Sequence, residues 1–231
     1  MNESAQTPSS EPLSPISRMI GIITSPRATF EDIVQRPTWL LPFLLLIIAS
    51  VATAYLILDL VVAAQVEQMS KNPQITQEQI EVITGGTEKY WWVVALISPI
   101  IMYILIPAVV LLFTGNVILG GESKFKTVFA VTCWSHITSV LASIIFVPLV
   151  RLKGALESPT SLAFLSPSDD KTSFLYVLFS SLDLLRIWPV VVLGIGIAAA
   201  YKFTNQKGIT VTVVLWLIYI LGSAGLTAAF N

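Results

Sequence analysis

The sequence predicts an all-α membrane protein, a bundle of five transmembrane helices preceded by a short amphipathic N-terminal region. The first observation behind this fold class is composition. Of the 231 residues, 55% are hydrophobic and only 12% are charged, about half the charged fraction of a soluble domain. The second is a mean hydropathy of +0.79. The third is the gathering of apolar residues into long runs, which places the chain in the membrane class.

Five apolar runs reach or approach the roughly 20 residues that a helix needs to cross a bilayer. Pro99 and Pro107 interrupt the second run, so we expect a kinked or tilted helix there. The fourth run is short, and Trp188-Pro189 is predicted to begin it, because proline in a first helical turn loses no hydrogen bond. The predicted spans are 39–62, 92–119, 127–150, 187–203 and 208–230.

A short helix and a polar tail complete the predicted architecture. The stretch TSFLYVLFSSL, residues 172–182, is apolar enough to contact lipid, and we expect an interfacial or partly inserted helix there. Residues 1–15 are polar and rich in Pro and Ser, so we predict a disordered tail.

Residues 16–36 contain two short amphipathic patterns that predict interfacial helices on the membrane surface. Ser25-Pro26 is typical of the start of the second helix. The alternative is a plain segment leading into the first span, without a partner. The apolar positions at helical spacing are Ile16, Met19, Ile20 and Ile23, then Phe30, Ile33 and Val34. The basic residues expected to meet anionic headgroups are Arg18, Arg27 and Arg36.

The distribution of Lys and Arg in the short flanks predicts a cytoplasmic N-terminus. With five spans the C-terminus then lies outside, and the expected location is the cell membrane. The predicted cytoplasmic set is Arg18, Arg27, Arg36, Lys124, Lys126, Lys202 and Lys207. The predicted outer set is Lys71, Lys89, Arg151, Lys153 and Lys171.

Asp183 and Arg186 are the first candidate polar site. They stand three residues apart, so they are neighbours on one helical face. An isolated charge at the bilayer centre costs about 2.5–3.5 kcal/mol on insertion scales, and mutual pairing lowers that cost. The two residues are therefore either a polar point in a solute or proton pathway, or a pair that anchors the fourth span; we favour the anchoring role.

His136 is the second candidate, in the third predicted span. It lies on a stripe with Thr132, Ser139 and Ser143, which is typical of contacts between membrane helices. The alternative is a proton relay through His136 and Asp183, because imidazole titrates near neutral pH. Asp59 lies near the outer end of the first span, where we expect its charge to be accommodated at the interface without a functional role. The alternative is that the first, third and fourth spans are adjacent and that Asp59, His136 and Asp183 line one cavity.

Other chemistry finds no support in the sequence. The net charge of −1 offers no basic field for nucleic acid. The single Cys133 and single His136 do not supply the ligands of a metal site. LGGESK lacks the Gly-Lys-Ser/Thr of a phosphate loop, and no nucleophile or kinase motif is present. We therefore expect no cofactor, no metal and no enzymatic activity.

Three stretches, in their order and spacing, carry a resemblance to a known family. They are ITSPRATFEDIVQRPTWLLPFLL, LGGESKFKTVFAVTCWSHITSVL and SLDLLRIWPVVVLGIGIAAAYKFTNQKGITVTVVLWLIYILGSAGL. Together they resemble the Yip domain family, five-span membrane proteins named for interacting with Ypt/Rab GTPases, and most of all its prokaryotic branch. The resemblance implies a helical bundle with a cytoplasmic N-terminus and no established enzymatic chemistry.

The predicted function is a non-catalytic membrane organiser or partner-binding scaffold. Its partners would be the bilayer and other membrane proteins or a second copy of the chain, with contacts through the N-terminal region and two basic turns. The alternative is a small transporter or proton-coupled permease using Asp183, Arg186 and His136, although five spans do not divide into the paired repeats of many transporters. The turn residues expected to make contacts are Lys124, Lys126, Lys202 and Lys207.

Overall fold

The computed structural model describes residues 11–168 and 170–230. Within them the chain forms eleven α-helices, and the β-type pairing is one isolated bridge between Ser161 and Asp183. The predicted all-α class is confirmed. Most of the predicted tail, residues 1–10, lies outside the described residues, and its last residue, Pro15, begins the first helix.

The helices follow one another through short connections. Two π-helical segments, Pro99–Leu105 and Thr114–Ile118, continue the fifth and sixth helices, and a 3₁₀ turn covers Leu162–Leu165. The α-helices are α1 Pro15–Thr24, α2 Pro26–Gln35, α3 Leu40–Leu56, α4 Leu58–Ser70, α5 Gln77–Ser98, α6 Ile106–Phe113, α7 Phe125–Ser135, α8 Ile137–Lys153, α9 Phe174–Ser181, α10 Leu184–Ala200 and α11 Asn205–Phe230.

Three continuous helical stretches of the described chain are long and apolar enough to cross a membrane. They are Gln77–Ile118 with 42 residues, Phe125–Lys153 with 29 and Asn205–Phe230 with 26. The pair α3 and α4, bent by 59°, is a fourth candidate if the two helices form one span. Helix α10, the fourth predicted span, is apolar but has 17 residues, so the total of five spans remains a prediction.

The first predicted span, 39–62, is not one straight helix. The chain bends at Ile57, where α3 ends and α4 begins. Helix α4 then packs along α5, and the Thr87 hydroxyl donates a 3.0 Å hydrogen bond to the Gln65 side-chain oxygen. The apolar run therefore covers all of α3 and only the first turn of α4.

The prediction that the helix of the fourth span begins at Trp188-Pro189 is wrong. Helix α10 begins at Leu184, because the Asp183 carboxylate accepts a 2.9 Å hydrogen bond from the Leu185 N–H and caps the helix. Pro189 lies inside the helix and is buried. The short helix predicted ahead of this span is present as α9, which packs against α11.

The hydrophobic core lies where α1 and α2 pack against α7 and α10. Ile22, Phe30 and Ile33 are fully buried there together with Val131 and Trp134. The apolar face of α2 is thus covered by protein. A sequence pattern that predicts an amphipathic helix does not reveal whether protein or lipid covers the apolar face.

Helices α10 and α11 approach so closely that glycine is needed at the contact. A Cβ on Gly194 would overlap the backbone of Ile209, and a Cβ on Gly208 would overlap the carbonyl oxygen of Gly194. The Thr212 hydroxyl donates a 3.1 Å hydrogen bond to the Val190 carbonyl across the same contact. Small residues at this helical hairpin therefore serve packing within one chain.

Candidate functional site

A buried ion pair fastens α1 to α2. Arg18 is 4% exposed, and its Nε and Nη2 each lie 2.7 Å from Asp32 Oδ2. Nη1 donates a 2.7 Å hydrogen bond to the Thr38 hydroxyl just ahead of α3. The expectation that Arg18 meets lipid headgroups is wrong, because its charge is neutralised inside the protein.

Trp134 of α7 completes this cluster from the third predicted span. Its indole N–H donates a 2.7 Å hydrogen bond to the Thr38 carbonyl, and the Arg18 guanidinium lies 5.8 Å from the centre of its ring. A tryptophan with its N–H satisfied packs at full burial without a penalty for the polar atom. The cluster therefore joins α1, α2, the start of α3 and α7 at a single point.

His136 bonds to a carbonyl that a proline leaves without its helical donor. In an α-helix the Tyr103 carbonyl would accept from the backbone N–H of residue 107, which is proline and has none. His136 Nε2 lies 2.6 Å from this oxygen. A carbonyl only accepts, so Nε2 carries the proton, and Nδ1 accepts from the Ser139 hydroxyl at 3.1 Å.

The carbonyl left without a donor by the other proline of this helix, Pro99, is satisfied in the same way. Pro99 cannot donate to the Ala95 carbonyl four residues earlier. The Ser50 hydroxyl of α3 donates a 2.9 Å hydrogen bond to this oxygen. Side chains of neighbouring helices thus satisfy both freed carbonyls, which would otherwise be costly in an apolar setting. The predicted interruption takes the form of the π-helical segment Pro99–Leu105.

Asp183 and Arg186 have different surroundings. Asp183 is 2% exposed and accepts a 2.5 Å hydrogen bond from the Thr160 hydroxyl besides capping α10. Arg186 is exposed, and the described residues form no ion pair with it. Asp183 therefore joins the 158–161 loop to the start of α10.

Asp59 belongs to a charged region at the far end of the bundle. Its carboxylate lies 2.6 Å from Arg151 Nη1 at the end of α8. Nearby, Glu157 binds Lys171 at 2.9 Å and Lys153 at 3.0 Å. Hydrogen bonds from Lys171 and then Lys153 lower the pKa of Glu157 from its ordinary 4.5 to about 2.

Two turns and α2 form one surface at the opposite end. A Cβ on Gly115 or Gly121 would overlap the Tyr201 ring, so this ring packs directly on the turn before α7. The Arg27 guanidinium of α2 donates a 3.0 Å hydrogen bond to the Phe203 carbonyl in the turn before α11. The turn before α7 is therefore held against Tyr201, and the turn before α11 is held against α2.

The four predicted lysines lie on this surface, which we call the turn surface. All four side chains are exposed, and the described residues form no ion pair with them. The ammonium of one of them lies 3.7 Å from the centre of the Phe203 ring, a cation–π contact. The lysines of the turn surface are Lys124, Lys126, Lys202 and Lys207.

The candidate pathway residues have separate partners. Asp59 binds Arg151, His136 binds Tyr103 and Asp183 binds Thr160. No hydrogen bond or ion pair among the described side chains joins the three to one another, and no group of three or more His, Cys, Asp or Glu there is arranged to hold a metal. No motif in the sequence indicated the cluster of Arg18, Asp32 and Trp134.

Long apolar helices, carbonyls satisfied from neighbouring helices and charges gathered at the two ends define a multi-pass α-helical membrane protein. Residues 20–226 match the Yip1 domain family. The chain therefore belongs to this family, as its motifs predict.

A curated relative agrees with this assignment. The membrane protein YknW of Bacillus subtilis (strain 168) is 26% identical over 209 residues, which cover 89% of this chain and 87% of that protein. No solved structure matches the chain significantly.

Proposed function

We propose that this chain is a non-catalytic scaffold of the cell membrane that binds an acidic partner protein at the turn surface. The single observation that carries the proposal is the joining of the two turns to each other through Tyr201 and to α2 through Arg27. Such fixed attachment lowers the ordering cost of binding. Four exposed lysines without acidic partners among the described residues favour a partner of opposite charge.

The proposal includes five spans, with the N-terminus in the cytoplasm and the C-terminus outside. Helix α10 has 17 residues, so it is roughly 26 Å long, slightly less than the hydrocarbon thickness of about 30 Å. The apolar helix α9 lies directly ahead of it in the chain and packs against α11. The excess of Lys and Arg near the turn surface supports a cytoplasmic location for that end.

The transport alternative gains no specific support. Asp183 is a helix cap bonded to Thr160, and His136 satisfies a carbonyl of the neighbouring helix. Arg186 is exposed at the start of α10. Asp183 and His136 therefore have structural roles that need no solute, and we retain the scaffold as the proposed function.

Photo-crosslinking in native membranes tests the proposal. A photoreactive residue at Gln206, exposed beside the turn surface, should form an adduct with another protein. The double variant K202E/K207E should reduce that adduct severalfold, because the charge of the surface is reversed. Gln74, exposed in the connection between α4 and α5, is the matched crosslinking control. K71E is the matched charge reversal at an exposed lysine of the same region.

Each outcome of the crosslinking experiment either supports or contradicts the proposed scaffold. An adduct specific to position 206 that requires the lysines supports the scaffold. Adducts with only lipid or the protein itself contradict it, as does a partner captured equally at Gln74 or unaffected by K202E/K207E. Membrane levels of every variant are measured by immunoblotting, so that loss of the protein is not mistaken for loss of binding.

A further inference from the structure

Helix α1 has one face buried in the protein and one face without cover. Arg18 and Ile22 point into the bundle and are 4% and 0% exposed. On the other side Ile16, Ile20 and Ile23 are 70%, 57% and 44% exposed. Their spacing of four and three residues puts them on one continuous helical face.

This outer face carries no charge. Arg18, the single charged residue of α1, is turned inward and neutralised by Asp32. The polar side chains are satisfied locally, because the Thr24 hydroxyl donates to the Ile20 carbonyl at 3.2 Å and the Ser17 and Ser14 hydroxyls lie 2.8 Å apart. An apolar face of this kind is suited to hydrocarbon.

The outer face of α2 has the opposite character. Arg27 and Glu31 form a 2.6 Å ion pair there, with 35% and 52% of their side chains exposed. Ala28 and Gln35 are also exposed on this helix. The helix pair therefore has an apolar flank on α1 and a charged flank on α2.

The depth of α1 is set by its contacts with the membrane-spanning helices. Arg18 binds Thr38, two residues before α3 begins, and lies over the ring of Trp134. Trp134 also bonds to the Thr38 carbonyl, so these contacts hold α1 beside the start of the first candidate span.

We propose that the outer face of α1 is inserted among the acyl chains of the leaflet on the N-terminal side, while α2 faces water. Protein anchors the inner face through the Arg18–Asp32 pair, and lipid covers Ile16, Ile20 and Ile23. The inference rests on the membrane spans included in the proposed function, but it does not depend on the turn surface or on a partner that binds there.

Site-directed spin labelling in lipid nanodiscs tests the inference. Labels at I16C, I20C and I23C are compared for collisions with oxygen, which concentrates in lipid, and with a water-soluble nickel complex. The three positions are exposed, so the substitutions do not disturb the core. A28C and Q35C on α2 are the matched controls, and the unsubstituted protein, whose single Cys133 is buried, gives the background.

The expected result is a higher collision rate with oxygen than with nickel at all three α1 positions, and the reverse at both α2 positions. Nickel contact at I20C, or protection from both reagents by a second copy or another protein, overturns the inference. I218C on α11, 61% exposed, is the lipid reference. A water signal at I218C contradicts the proposed membrane topology itself, whereas a water signal confined to α1 overturns only the insertion of α1.

Discussion

Nε2 of His136 lies 2.6 Å from the carbonyl oxygen of Tyr103, at the position where Pro107 removes the usual helical donor. A histidine within a membrane helix is commonly taken as a sign of proton transfer. Here both ring nitrogens have partners, since Nδ1 faces the Ser139 hydroxyl. The contact joins the second and third predicted spans, and it gives His136 a structural role that can be measured.

Replacement of His136 by alanine should lower the free energy of unfolding by about 1–3 kcal/mol, the cost of a carbonyl left unsatisfied in an apolar environment. The cost should shrink in a P107A background, because residue 107 then has a backbone N–H that bonds to the Tyr103 carbonyl. Denaturant titration of the purified protein in detergent measures both values. An equal cost of H136A in the two backgrounds would contradict the role of His136 as the donor to the Tyr103 carbonyl.

Arg18 should be among the most sensitive charged residues of the chain. R18M leaves the Asp32 carboxylate, 12% exposed, without its main partner, and breaking a buried pair costs about 3–5 kcal/mol. The double variant R18M/D32N removes both charges and should recover part of that loss. The midpoint of thermal unfolding in detergent should be highest for the unsubstituted protein, intermediate for the double variant and lowest for R18M. A double variant no more stable than R18M would argue against the ion pair.

Gly208 should not tolerate a large side chain. G208L forces a Cβ against the Gly194 carbonyl, and overpacking of this kind costs about 1–3 kcal/mol. Gly222 is the matched control, because no atom lies within 4 Å of a Cβ added there. The midpoint of thermal unfolding should therefore be clearly lower for G208L than for G222L. Similar midpoints for the two would rule out the close contact of α10 and α11.

Glu157 should make stability depend on pH in the acid range. Its pKa is lowered from 4.5 to about 2 by hydrogen bonds from Lys171 and Lys153, so its contribution is complete above about pH 4.5 and is lost as the pH falls towards 2. Thermal unfolding between pH 2 and pH 6 should show a shallower fall in midpoint for E157Q than for the unsubstituted protein. Parallel curves would show that the ion pairs contribute little.

The membrane spans could be predicted where they depend only on a continuous run of apolar residues. The predicted 208–230 lies within α11, Asn205–Phe230, and the predicted 127–150 lies within the continuous stretch Phe125–Lys153. Each depends only on the apolar character of neighbouring residues. The bend at Ile57 depends on how α4 packs against α5, so the run 39–62 did not reveal it.

The polar contacts were harder to predict, because each joins distant parts of the chain. The stripe containing His136 indicated helix packing, but not Tyr103 as its partner. One signal was present in the sequence, since the residue four places before Pro107 needs a donor from elsewhere. No comparable signal linked Arg18 to Trp134, which are brought together only by the packing of α1 on α7.

The most direct test of the account is the sidedness of α10, because five spans require this 17-residue helix to cross the bilayer. Single cysteines at Asp170 and Gln206, at exposed positions on either side of it, are treated with a membrane-impermeant thiol reagent in sealed right-side-out vesicles. With five spans, we expect D170C to be labelled at once and Q206C only after permeabilisation. Labelling of both from the same side would contradict the five-span scaffold.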